Sequence, residues 1–229
     1  MIKRLALLCC ILLLPTIAAA ASQDGNVHFG EWWVGGQLGG VFTPDQDVTF
    51  TAQNLFPGRE FNRSIKTDAA FSAGAIAGYN FCRPYREVWE RYFGAAVDFQ
   101  WNSFNHPEHN SLPKVSGNQY ALSFLARLQY PLGGSEKFTF GRFVPFLMAG
   151  PSIVWTNSSF SNFGGGSKTS TNIGVIAEIG CDFYMWPRLS IAPSFRYRHV
   201  FGPSYSAQNI NIDTQLDQFM VLGRLAYHF

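Results

Sequence analysis

The sequence predicts an all-β protein in which eight antiparallel strands close into an up-and-down transmembrane barrel after a cleaved signal peptide. Three observations carry this prediction. The chain begins with a short apolar run, its remainder alternates apolar and polar residues in eight segments, and it is rich in aromatic residues while only 14% of residues are charged. Charged residues normally make up about a quarter of a soluble domain, so this composition suits a surface that faces lipid.

The N-terminal segment is typical of a secretory signal peptide. Two basic residues precede an apolar run over residues 5–14, and a stretch of small residues ends at Ala21. The run is too short for a transmembrane helix, which needs about 20 apolar residues. We therefore predict a signal peptide over residues 1–21 and a barrel domain over residues 22–229.

The charge balance argues against a nucleic-acid partner. Removing the signal peptide takes two of the 17 basic residues and none of the 15 acidic ones, which leaves 15 of each. No basic stripe remains to attract a polyanion. Beyond the signal peptide no apolar stretch approaches 18 residues, so the chain could span a membrane only as a closed barrel.

The first four predicted strands are residues 31–42, 68–81, 91–102 and 119–130. Each places apolar side chains at alternate positions over the length of about 9–11 residues that a tilted barrel strand needs. The predicted outward residues are Trp32, Val34, Leu38, Phe42, Ala69, Phe71, Ala73, Ala75, Ala77, Tyr79, Phe81, Phe93, Ala95, Val97, Phe99, Trp101, Tyr120, Leu122, Phe124, Ala126, Leu128 and Tyr130.

The last four predicted strands are residues 142–155, 172–184, 189–199 and 216–229. The fifth is the least regular, because Pro145 and Pro151 each remove a backbone donor from the ladder. Its apolar alternation nevertheless favours a strand. The predicted outward residues of these four strands are Leu147, Ala149, Ile153, Trp155, Ile173, Val175, Ala177, Ile179, Phe183, Ile191, Phe195, Tyr197, Phe219, Val221, Leu225, Tyr227 and Phe229.

The connections alternate between short and long, as they do in outer-membrane-type barrels with both termini at the short-turn end. The predicted long loops are residues 43–66, 103–117, 156–171 and 200–214. A soluble barrel of the lipocalin type would bury the apolar face instead. We favour the membrane orientation because the charged faces hold most strand glycines, which suit a narrow interior, while aromatic residues lie near strand ends on the other faces.

The charged residues of the inward faces form the candidate site. An isolated buried charge costs several kcal/mol, so we expect these groups to pair and to plug the lumen with salt bridges. A narrow or gated pore is the alternative. The predicted lumen charge network consists of Glu31, Asp98, Arg127, Glu178, Asp182, Arg196, Arg198 and Arg224.

The chain ends with apolar residues at every second position and a terminal Phe. Gly223, Leu225, Tyr227 and Phe229 resemble the C-terminal signal that the barrel-assembly machinery reads in bacterial outer-membrane proteins. Together with residues 142–150 and 195–199, this ending makes the chain resemble small eight-stranded barrels such as the OmpA transmembrane domain, OmpX and the opacity-type proteins.

The resemblance implies a Sec-exported precursor that resides in the outer membrane of a Gram-negative bacterium. Outer-membrane lipid, lipopolysaccharide and the assembly machinery would be its partners, with a host or surface ligand as a further possibility. It implies no cofactor, metal or catalytic residue. We expect a non-enzymatic protein with a structural or surface-interaction role through its external loops, with a narrow porin as the alternative.

Three further groups carry weaker hypotheses. His199 resembles the base of barrel enzymes that deacylate lipid A, but Phe201 stands where those enzymes place Ser, and Ser204 comes later. His106, Glu108 and His109 could bind zinc, although an exposed polar loop is the more common explanation. Cys82 and Cys181 fall on opposite walls of the predicted barrel, so we expect two free thiols.

Overall fold

The computed structural model describes residues 31–44, 46–52, 60–65, 69–81, 92–106, 115–133, 141–160, 167–201, 204–207, 210–213 and 216–229. The predicted signal peptide over residues 1–21 lies outside these ranges. Among the described residues, no helix is long and apolar enough to cross a bilayer.

Eight antiparallel strands close into a barrel, which confirms the predicted fold class. In the closed circle they follow the order β1-β12-β9-β8-β7-β6-β5-β4, so every neighbour in the circle is hydrogen-bonded. The barrel strands are β1 (Glu31–Phe42), β4 (Ala70–Asn80), β5 (Phe93–His106), β6 (Val115–Gln129), β7 (Phe143–Phe160), β8 (Ser167–Trp186), β9 (Leu189–Val200) and β12 (Leu216–His228).

The two faces of the barrel strands differ as the sequence predicts. None of the predicted outward side chains is buried, and many are about half exposed, such as Leu38, Ile179 and Val221. The inward positions hold the buried polar and charged side chains. Successive residues of a strand point to opposite faces, so the alternation in the sequence fixes which residues line the lumen.

The β7 strand continues through both of its prolines. Pro145 is paired with Cys181 and Pro151 with Val175 on β8. On the other side, the β6–β7 register passes from Ser123–Ser152 to Ala126–Ala149, so pairing lapses beside Pro151. A Cβ atom at neighbouring Gly150 would lie 1.9 Å from the Phe124 carbonyl oxygen, and only glycine permits this approach.

Four further strands were not predicted. β2 (Gln46–Ala52) and β3 (Glu60–Ile65) lie in the β1–β4 connection, and β10 (Ser204–Ala207) and β11 (Ile210–Asp213) lie in the β9–β12 connection. They pair in the order β10-β11-β2-β3, so the two connections join in one sheet, which we call the loop sheet. The predicted long loops over residues 43–66 and 200–214 therefore contain paired strands that the sequence did not reveal.

The predicted loops over residues 103–117 and 156–171 are also too long. β5 and β6 remain paired as far as His106–Val115, and β7 and β8 as far as Ser159–Ser167. These extensions are rich in Ser, Asn and Thr. They lack an apolar face, so the alternation that marks a half-buried strand is missing from their sequence.

The barrel has a terminal end and a loop end. At the terminal end, the Phe229 backbone N–H donates to the Trp32 carbonyl oxygen at 2.9 Å, and residues 187–188 turn tightly between β8 and β9. At the loop end stand the loop sheet and the long extensions of β5 to β8. The short and long connections thus fall on opposite ends, as predicted.

Candidate functional site: the charged lumen

Arg196 stands at the centre of the lumen and joins opposite walls. β9, which carries it, and β5 are four strands apart in the circle of eight. Arg196 Nη1 lies 2.7 Å from Asp98 Oδ2 on β5, while its Nε and Nη2 donate to Glu178 Oε2 at 2.8 and 2.6 Å. Gln37 Nε2 also donates to Asp98, so a third wall joins the cluster.

A second layer lies nearer the terminal end and is centred on Asp182. Arg127 Nη2 donates to Asp182 Oδ2, and Arg224 Nη2 donates to Asp182 Oδ1 at 3.4 Å. Arg224 Nη1 also lies 3.8 Å from Glu178 Oε1, which connects this layer to Arg196. Six of the eight predicted residues thus form one connected, buried set.

Two aromatic rings from opposite walls stack on the arginines of this second layer. The Cζ atoms of Arg127 and Arg224 lie 5.3 and 5.1 Å from the Trp33 ring centroid. Both lie 4.7 Å from the centroid of Phe146. Cation–π contacts of this kind are strongest where water is excluded, so the rings add to the carboxylates in holding the guanidinium groups.

Arg198 lies one inward position closer to the loop end and has no carboxylate partner among the described residues. Its Nη1 donates to the side-chain oxygens of Gln119 and Gln218 at 3.3 and 3.4 Å, and its Nη2 donates to Gln100. Within the described part of the chain, its Nε has no hydrogen-bond partner. Among the described residues, the expectation that all lumen charges pair is not met for Arg198, because Arg196 on the same face contacts both nearby carboxylates.

Glu31 lies apart from the arginines, at the terminal end. Its Oε2 accepts from Asn80 Nδ2 at 3.1 Å and lies 3.4 Å from His228 Nδ1. The other ring nitrogen of His228 lies 2.9 Å from Ser190 Oγ, and Tyr184 Oη is 3.1 Å from Nδ1. His228 on β12 thus contacts side chains of β1, β8 and β9.

Sequence reasoning missed the aromatic and histidine members of the lumen. Trp33, Phe146 and His228 are almost fully buried and point inward. The alternation along each strand could have identified them, because residues an even number of positions apart lie on the same face. Trp33 is two residues from Glu31, and His228 is four residues from Arg224. The neighbouring Trp32 and Tyr227 point outward, so aromatic residue type alone does not report the face.

His199 points outward near the loop end and contacts an acid. Its Nδ1 lies 2.7 Å from Asp217 Oδ1, which also accepts from the Tyr197 hydroxyl at 2.6 Å. The ring of Phe201 packs edge-on against the imidazole with centroids 4.7 Å apart. A base and an acid are thus in contact, but Phe201 fills the position where an esterase of this kind would place its nucleophile.

The described residues contain no group of three His, Cys, Asp or Glu side chains placed to hold a metal. Glu108, His109 and the side chain of His106 lie outside the description, so the zinc hypothesis remains a prediction. Cys181 is free, and it lies on β8, four strands across the circle from β4. Cys82, which follows β4, also lies outside the described residues.

A closed barrel with apolar side chains outside and ionic groups inside is an integral membrane β-barrel. Residues 6–229 match the family model of the outer membrane protein beta-barrel domain, and the chain belongs to this family. Its location is therefore the bacterial outer membrane. Gly223, Leu225, Tyr227 and Phe229 all lie on the outward face of the last strand or at its end, and their role in assembly stays a prediction.

Solved structures share the fold at low sequence identity, and two of them illustrate this. Neisserial surface protein A is 14% identical, with 90% of this chain and 100% of that chain covered and a TM-score of 0.51. The outer membrane protein OprG from Pseudomonas aeruginosa is 15% identical, with 87% and 96% covered and a TM-score of 0.58. Among curated proteins, no sequence matches this chain.

Proposed function

We propose that this protein is a non-enzymatic outer-membrane barrel that acts through its loop end, in envelope integrity or surface interaction, and does not conduct solutes. The observation that carries the proposal is the Arg196 cluster, which bridges opposite walls with fully buried charged groups. A solute could pass only if these ion pairs separated and became hydrated.

The packing around the cluster supports the same proposal. Trp33, Met148 and Met220 fill inward positions and are almost completely buried. An eight-stranded barrel has an interior that side chains can just fill. The ionic layers and these large apolar groups together act as a plug.

The loop end supports a role at the cell surface. The loop sheet links two connections that rise from four adjacent strands, β9, β12, β1 and β4. Loops held by a rigid scaffold commonly carry binding functions. In this proposal the loop end faces the exterior, where lipopolysaccharide and a host or surface ligand are the partners, and the assembly machinery reads the C-terminal residues during biogenesis. A nucleic-acid partner forms no part of the proposal.

Planar-bilayer recording tests the closed lumen. The purified wild-type barrel should give no conductance steps above the lipid background. A variant with Arg196→Ala and Arg224→Ala removes two bridging side chains and should give measurable steps if the plug is what blocks the path. Reproducible ion-selective steps from the wild type would replace this proposal with the narrow-porin alternative.

Labelling of intact cells tests the orientation. An epitope inserted at residues 208–209, between β10 and β11, should bind antibody on intact cells. The matched insertion at residues 187–188, in the β8–β9 turn, should bind only after the outer membrane is permeabilised. The reverse pattern would contradict a surface role for the loop end.

Lipid A analysis tests the absence of deacylase activity. Overexpression of the wild type should leave the acyl composition of lipid A unchanged, because the His199–Asp217 pair lacks a nucleophile at residue 201. Loss of one acyl chain in the wild type, but not in a His199→Ala variant, would show an enzyme.

A further inference from the structure

The lumen charges are unevenly distributed along the barrel. In the connected set, Arg127, Arg196 and Arg224 face three carboxylates, those of Asp98, Glu178 and Asp182. The fourth carboxylate, Glu31, contacts Asn80 and His228 at the terminal end. Within the described residues, Arg198 therefore carries a positive charge that contacts no carboxylate, in the half of the lumen nearer the loop end.

The surroundings of Arg198 make this charge costly. Its side chain is 0% exposed, and its partners are neutral amide oxygens. Arg196, two residues earlier on the same face, adds a second positive charge nearby. An uncompensated charge in a water-poor interior is strongly unfavourable, so a counter-ion at this point would be stabilising.

We infer that Arg198 is a binding site for one small monovalent anion of the halide class, which enters from the loop end. Arg198 lies two residues before the end of β9, and on the side of the loop end Val200 packs with Ala121, Val154 and Leu216 in a small apolar cluster. The Nε–H of Arg198 is a free donor. The amide groups of Gln119 and Gln218 already contact its guanidinium and can rotate to present N–H groups to an anion.

The same geometry limits the size and charge of the ligand. Arg198 is fully shielded by its neighbours, so an anion reaches it only when the amide side chains turn aside. The surplus is a single positive charge, which a monovalent ion neutralises. Phosphate and large carboxylates would bring excess charge or bulk into a filled interior.

The test compares thermal unfolding of the full-length mature barrel in detergent, in sodium chloride and in sodium gluconate of equal ionic strength. Gluconate is too large to enter. The wild-type midpoint should rise with chloride in a saturable way, by about 3–6 °C at ten times the dissociation constant. Arg188→Gln, which alters an exposed turn residue, should respond as the wild type does.

Two variants address the site itself. Arg198→Gln removes the charge, and Gln218→Glu places a carboxylate opposite Arg198 in the β9–β12 register. Both variants should lose the chloride-dependent rise of the unfolding midpoint. If Arg198→Gln does not fold, Gln218→Glu provides the test. A bromide-soaked crystal should show an anomalous peak within hydrogen-bond distance of Arg198 Nε. Equal midpoints of the wild type in the two salts, or an undiminished chloride response in Gln218→Glu, would overturn the inference.

Discussion

Arg196 and Asp98 lie on opposite walls of the barrel, and their side chains meet at the centre with Nη1 2.7 Å from Oδ2. Both side chains are fully buried. The pair therefore fixes the distance between β5 and β9 while it neutralises both charges. Its neighbour Arg198 projects from the same face of β9 and has no carboxylate partner in the described part of the chain.

Arg196→Gln should destabilise the barrel far more than Arg198→Gln. The first change leaves Asp98 and Glu178 without their shared cation, and breaking a buried pair costs about 3–5 kcal/mol. The second removes a charge that has no carboxylate partner among the described residues, and glutamine can still donate to a neighbouring amide oxygen, so it should cost less. Urea unfolding in lipid vesicles, followed by tryptophan fluorescence, measures both. Equal losses would contradict the assignment of Arg196 as the bridging cation.

Trp33→Ala should cost much more than Trp32→Ala, although the two residues are adjacent. Trp33 is buried against Arg127 and Arg224, and removing a buried Trp costs about 3–5 kcal/mol. Trp32 is 52% exposed and contacts Tyr79 on the outer surface, a pair worth about 1 kcal/mol. The same unfolding assay applies. A larger loss at Trp32 would mean that the assignment of the two faces of β1 is inverted.

Gly78→Ala should destabilise the barrel, and Gly36→Ala should not. A Cβ atom at Gly78 would lie 2.4 Å from the Trp33 ring, and overpacking of this kind costs about 1–3 kcal/mol. At Gly36 a Cβ atom meets nothing within 4 Å, so alanine should stabilise the strand by about 0.5–1 kcal/mol. The heat-induced mobility shift on gels ranks the variants. A neutral Gly78→Ala would imply that Trp33 moves freely in the lumen.

Phe195→Arg should be far more harmful than Phe201→Arg. Both side chains are exposed outward, but Phe195 lies midway along β9, while Phe201 lies just beyond the end of that strand. Arginine on the lipid face costs about 2–4 kcal/mol near the bilayer midplane and about 0–1 near the interface. Folding yield into vesicles measures the difference. Similar yields for both variants would argue against lipid contact along β9.

The faces of the barrel strands could be predicted because each strand separates lipid from a polar lumen. This boundary imposes a period of two on the sequence, which is why Phe93 to Trp101 and Tyr120 to Tyr130 were assigned correctly. The strands of the loop sheet also alternate, as Val48 and Phe50 or Ile210 and Ile212 show, but they have only 4 to 7 residues and are shorter than the barrel strands of about 9–11 residues that the sequence was searched for. For this reason the strands Gln46–Ala52 and Ile210–Asp213 were not predicted, and their residues were assigned to loops.

The partners within the lumen were not predictable in the same way. The alternation of faces along each strand identifies Asp98, Arg127, Arg196 and Arg198 as inward residues. It does not give their positions along the barrel axis. Height depends on the stagger between neighbouring strands, which is a property of the closed sheet. This stagger brings Asp98 to Arg196 and leaves Arg198 among glutamines. Equal numbers of inward acids and arginines therefore suggested complete pairing, whereas Arg198 contacts no carboxylate among the residues that the structure describes.

β12, which follows the other barrel strands in the sequence, contributes side chains both to the Asp182 layer and to the Glu31 group of the lumen. β12 brings Arg224 to Asp182 and His228 to Glu31 at the moment it pairs with β1. Before β12 pairs, the sheet is open and has two edge strands with unpaired backbone groups. The carboxylates of Asp182 and Glu31 also lack their contacts with β12, so water must solvate all these groups. We therefore expect closure of the cylinder and exclusion of water from its interior to occur together, and a chain that lacks β12 to form no dry lumen.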